Sequence, residues 1–120
     1  MKKISTYLVL LAFIACAETS MSHTETAKIV VESFYQKDNS KLKKHTTSES
    51  YDSFISIQDM MTAAESGASD FTVIQETVEG DTAWVKFTTS YEEKPETFKL
   101  VQVDGRWKVT EKGLREKRPF

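Results

Sequence analysis

The residue with the most definite chemistry is Cys16, the sole cysteine of the chain, directly behind a leader made of Met1-Lys-Lys3 and the apolar run 4–15. One cysteine forms no internal disulfide, and at the end of such a leader this thiol lies outside any core. The remaining candidates are acid–base groups. His45 could serve as a base, with Asp52 or Asp59 orienting its imidazole and Tyr35 or Tyr51 supplying a hydrogen-bond donor. Against this arrangement, His45 lies beside Lys43 and Lys44 in a charged stretch. The alternating pattern of the C-terminal half also puts no Asp, Glu or His on the expected inner sheet face before Glu111. There is no His-x-x-x-His pair and no cysteine cluster, and Gly67, Gly80, Gly105 and Gly113 are scattered at turns rather than gathered in a phosphate loop. No metal or cofactor is expected, and catalysis ranks below binding.

The leader itself has a basic start and an apolar stretch of about twelve residues, short of the roughly twenty that span a bilayer. It ends in Phe13-Ile-Ala-Cys16. That segment resembles the bacterial lipobox, in which a small residue precedes the cysteine that is acylated and becomes the mature N-terminus; Phe13 departs from the usual leucine. Two or three acyl chains anchor a protein stably where one does so marginally. Residues 17–23 are small and polar, as a tether requires. Ala17 is not the aspartate that retains enteric lipoproteins in the inner membrane, so the outer membrane is expected.

Composition excludes one class of partner. The net charge is −2, and the leader supplies two lysines and no acid, so the remainder is more acidic than the whole. Nucleic-acid binding calls for a concentrated basic patch. The basic tail, residues 113–120, reads as a solvated end.

These groups must be positioned by helices followed by strands. Ser22 and Glu25 have the spacing of a capping box, and Ala27, Val30, Val31, Phe34 and Tyr35 recur at helical intervals, predicting a helix over 24–37. A short helix over 40–45 turns Leu42 inward. A third runs from Ser48 to about residue 65, with Tyr51, Phe54, Ile55 and Gln58 among its inward positions. Residues 70–112 read as a four-stranded antiparallel sheet. Asp104-Gly105 closes the last hairpin, pairing Val103 with Arg106 and Leu100 with Val109. Phe98, Leu100, Trp107 and Val109 then share the core face. The first strand, from Phe71 to Val78, changes face through a bulge, and the second buries Ala83, Val85 and Phe87 while turning Trp84 outward. The run from Tyr91 to Glu96 reads as a polar loop.

The run Ala27–Tyr35 with Asp38, the run Gly80–Val85 and the run Val103–Val109 together resemble the nuclear-transport-factor-2-like (cystatin-like) superfamily, more narrowly small bacterial lipoproteins with a lumazine-binding-like domain. The resemblance covers nearly all of 24–112 and rests on structural motifs that carry no chemistry. It implies an α+β half-barrel cone with helices against its concave face, often with a pocket there. It also implies dimerisation through the convex face, here through Trp84, Val101 and Val103.

The expected organisation is a signal peptide over 1–15, an acylated N-terminus and tether over 16–23, the folded domain over 24–112 and the tail. Tyr35, Phe54, Phe87, Phe98, Leu100 and Trp107 either line an apolar pocket or fill the core. The expected role is a lipid-anchored, non-enzymatic binding or assembly module of the bacterial envelope for a small apolar ligand or a protein partner. The alternative is a small cofactor-independent isomerase or hydro-lyase with His45 or Asp52 as base.

Overall fold

The computed structural model describes residues 21–61 and 67–120. The signal peptide, Cys16 and most of the tether lie outside them, as does the end expected for the third helix.

Three helices precede the sheet: α1 (His23–Tyr35), α2 (Asn39–Lys44) and α3 (Ser48–Met61). Helix α1 is capped by Ser22, which makes the first of the two bonds of a capping box. The Glu25 amide donates to Ser22 Oγ at 3.1 Å, and Ser22 Oγ donates in turn to Glu25 Oε1 at 3.2 Å. The helix starts one residue earlier than expected, so His23 belongs to it and not to the tether. Ala27, Val30, Val31, Phe34 and Tyr35 are all buried. The chain then reverses through Lys37, whose φ is 58°, and Asp38 caps α2, where Leu42 is fully buried.

Helix α3 is fastened to α1 by a side chain. Gln58, almost wholly buried, donates from Nε2 to the Phe34 carbonyl at 2.9 Å and to Asn39 Oδ1 at 2.8 Å. The first of these reinforces the C-terminal end of α1, where the Phe34 carbonyl otherwise accepts a long bond from the Lys37 amide, at 3.4 Å.

The strands β1 (Thr72–Glu79), β2 (Thr82–Thr89), β3 (Glu92–Val103) and β4 (Arg106–Thr110) pair antiparallel in sequence order, and among the described residues β1 and β4 do not meet to close the sheet. The fold is therefore α+β, with three helices packed on an open four-stranded antiparallel sheet. The last hairpin has the expected register, from Val103 opposite Arg106 to Leu100 opposite Val109. Asp104 and Gly105 have φ of 52° and 76°, the pair of positive values a type I′ turn needs. The irregularity in β1 falls between Val73 and Gln75 and leaves Ile74 outside the ladder.

Ala83, Val85, Phe87, Leu100 and Val109 are completely buried on the face that α1 covers, with Phe98 and Trp107 packed beside them. The Trp107 ring meets the His23 ring edge-on at 5.7 Å, so the indole faces the start of α1. The outer edge of β4 is covered too. Val109 donates its N–H to the His45 carbonyl at 2.9 Å and accepts from the Thr47 amide at 3.1 Å. The linker between α2 and α3 thereby blocks an edge that would otherwise invite strand addition.

One expectation about the sheet needs correction. The run Glu92–Glu96 is the first part of the twelve-residue strand β3, not a loop. Because Val109 uses its backbone groups on the helical linker, Thr110 and its partner Lys99 face each other across the β3–β4 ladder. Counting back by two, Thr97 and Pro95 turn toward the side that β4, already finished at Thr110, does not cover. A proline is tolerated there because no ladder bond is lost.

Beyond β4 the chain forms a 3-10 helix, Glu111–Leu114, so ordered packing continues past residue 112 into the expected tail. Gly113 is buried, and a methyl group on it would lie 2.6 Å from Lys99 Cβ and 3.3 Å from Trp84 Cζ3. Only glycine permits this approach to the outer sheet face. Lys99 pairs with Glu116 and stands over the Trp84 ring at 5.8 Å.

Candidate functional site

Where β4 stops short of the first half of β3, a cavity of about 160 Å³ remains between the helices and the sheet. Helix α1 walls it with Val30, Val31, Phe34 and Tyr35, and α3 with Phe54, Ile57 and Met61. The β3 segment Glu96–Lys99 forms its floor, and Thr110, Glu111 and Leu114 close the end. Its rim is unusually greasy for a surface: Ile57, Met61 and Leu114 are 36%, 40% and 69% exposed. Exposed apolar side chains grouped around one opening mark a binding mouth more often than scattered ones do.

The aromatic residues form a connected cluster behind this opening. Phe34 meets Phe54 with centroids 5.8 Å apart, Phe54 meets Phe98 at 6.4 Å, and Phe98 meets Phe87 edge-on at 4.9 Å. Of the six residues expected to line a pocket, Tyr35, Phe54 and Phe98 do so. Phe87 and Leu100 are completely buried, and Trp107 packs against the core near His23; none of these three reaches the cavity wall.

The acid–base candidates are placed elsewhere. His45 caps the end of α2, with its Nδ1 donating to the Lys41 carbonyl at 2.9 Å. Asp52 is exposed, and Asp59 is exposed and pairs with Lys37 at 3.1 Å. Tyr51 is half-buried, with the Lys43 ammonium 5.9 Å from its ring centroid. None of these four side chains lines the cavity.

What does line it is a carboxyl group from the run expected to be a loop. Glu96 stands opposite Phe87 in the β2–β3 register, on the same face as Phe98 and Leu100. The expectation that this face carries no acid before Glu111 is therefore corrected. Glu76, opposite Val85 and paired with His23, is a second exception near the other end. Glu96 makes no side-chain hydrogen bond or ion pair among the described residues, whereas its neighbour Glu92 accepts from the Tyr35 hydroxyl at 3.0 Å. Burial pushes the Glu96 carboxyl up to about 7, and the negative charge of Glu92 adds to the rise.

A raised carboxyl couples stability to pH. The folded domain keeps the Glu96 proton that the unfolded chain loses near 4.5, so protonated Glu96 favours folding, and that contribution disappears as pH climbs through about 7. Denaturant unfolding should show stability falling between those two values by on the order of 1–2 kcal/mol, after allowance for solvent screening. Glu96→Gln should flatten the profile in that window. An unchanged slope in the variant would show that another group carries it.

The outer face is less open than its sequence indicates. Trp84 is half-buried under Gly113 and Lys99, Val101 is half-buried and Val103 is 39% exposed. Among the described residues no group of three or more His, Cys, Asp or Glu is arranged to hold a metal, and no helix is long and apolar enough to cross a membrane.

No protein-family model, curated protein or solved structure matches the chain.

Proposed function

We propose that the chain is a lipid-anchored protein of the bacterial cell envelope, of the nuclear-transport-factor-2-like type, whose domain holds a small apolar ligand. The leader with its single cysteine supports the anchor, at the outer membrane given Ala17. The order of helices before an antiparallel sheet supports the half-cone architecture. One observation carries the binding role: the cavity walled by Val30, Phe34, Phe54 and Phe98, with Ile57, Met61 and Leu114 at its mouth. A protein partner or a second copy docking on Trp84, Val101 and Val103 is less favoured, because Gly113 occupies the space over the Trp84 indole.

A cavity of about 150 Å³ lined by apolar side chains is large enough to take up benzene. Indole, a neutral aromatic probe of slightly greater bulk, should therefore raise the unfolding temperature of the purified protein saturably, because a ligand bound only by the folded state stabilises it. No saturable shift with indole or with smaller neutral aromatics would remove the ligand reading.

A second reading, a small cofactor-independent isomerase or hydro-lyase, has one specific observation in its favour. Glu96, raised to about 7 beside an apolar cavity, has the character of a general base that works at neutral pH. On that reading Glu96 would move the substrate proton, and His45 and Asp52 would have no part in the step.

A further inference from the structure

The ligand reading leaves open which molecules of the right size the cavity prefers, and the charges around it bear on that choice. Its walls include four aromatic rings, Phe34, Tyr35, Phe54 and Phe98, and its floor carries the Glu96 side chain. The lining lysine is already engaged: Lys99 pairs with Glu116, and beside the lining Arg115 stands 3.7 Å from Glu111. Helices α1 and α3 contribute no formal charge to the lining. An anionic ligand would meet Glu96 and Glu111, and among the described residues the one cation on the lining, Lys99, is already paired. A cation would meet both a carboxyl without a partner among the described residues and aromatic rings, which attract cations through their quadrupole.

We infer that the otherwise apolar ligand carries an ammonium group, which the cavity favours over neutral or anionic molecules of the same shape, its charge beside Glu96 and its alkyl groups against Phe34, Phe54 and Phe98. This specificity rests on the cavity being a ligand site at all. Desolvation that disfavours an ionised Glu96 in the empty cavity is relieved when a fixed positive charge arrives, so the ligand and the proton compete for the same carboxyl. A quaternary ammonium has no proton of its own to lose, and its affinity should rise with pH through about 7, where Glu96 ionises. The other titratable groups on the lining are Glu111, Lys99 and Tyr35, with Glu92 one step behind Tyr35.

The test is calorimetric titration of the full-length protein with three probes: choline, its uncharged carbon isostere dimethylbutanol, and trimethylacetate. Above neutral pH choline should bind about tenfold more tightly than the isostere, with trimethylacetate the weakest. In Glu96→Gln that preference should vanish, with urea unfolding followed by the fluorescence of Trp84 and Trp107 showing the variant to be folded. Equal binding of choline and the isostere, or a choline preference that survives Glu96→Gln, overturns the ammonium specificity and leaves the cavity as an apolar site. If none of the three probes binds while indole does, the ammonium specificity falls and the ligand reading stands; if indole fails as well, both fall.

Discussion

Phe87→Ala should remove about 3–5 kcal/mol of folding free energy, the largest loss expected from a single side chain in this domain. Phe87 is 0% exposed, stacks on Phe71 with centroids 4.9 Å apart and meets Phe98 edge-on at the same separation. It lies opposite Val73 on one neighbouring strand and Glu96 on the other. Deleting the ring forfeits its transfer out of water, two aromatic contacts and the packing that fixes the cavity floor. The surrounding strands cannot collapse into the gap without breaking their ladders. Small domains are stable by only about 5–15 kcal/mol, so the variant should be partly unfolded on modest warming. Urea unfolding followed by the fluorescence of Trp84 and Trp107 checks this; a loss below about 1 kcal/mol would mean that Phe87 is not the keystone of the inner face.

The second large effect concerns location. Cys16→Ala should move the protein almost completely from the membrane fraction to the soluble one. Each acyl methylene buried in a bilayer contributes about 0.8 kcal/mol, so the chains added at Cys16 would dominate any attraction between the membrane and a domain of this charge. The described residues contain no helix able to substitute as a transmembrane anchor. Fractionation of cells producing the parent and the variant, with mass spectrometry of the mature N-terminus, reads the outcome. A variant that stays with the membrane at high salt would show that something other than Cys16 holds it there.

Much of the architecture was legible because local rules and tertiary packing agree. The Asp104-Gly105 turn fixes the register of its hairpin by counting alone, and Ser22 with Glu25 announces α1 before any contact is known. Glu96 was not legible for the opposite reason. Glu92, Glu93, Lys94 and Pro95 have the composition of a loop, and composition outweighed alternation. Yet a signal existed: stepping back by twos from Leu100 through Phe98 arrives at Glu96 on the same face. What no sequence pattern could supply was the early end of β4, which opens the cavity above that carboxyl, or the contact of Gly113 with Trp84, which depends on where the 3-10 helix crosses the sheet. His45 is a titratable ring near tyrosines and aspartates in the sequence, but the end of a short helix gives it a capping bond instead.

These elements share one physical basis. A one-sided sheet packed by three helices leaves uncovered the stretch of β3 that outruns β4, and there apolar walls and a desolvated carboxyl come together. The most direct measurement is nuclear magnetic resonance of the isotopically labelled protein during titration with indole. Shift changes should centre on Phe34, Phe54, Thr97 and Phe98 and saturate together. Changes centred on Trp84, Val101 and Val103 across the sheet would contradict a ligand site in the cavity.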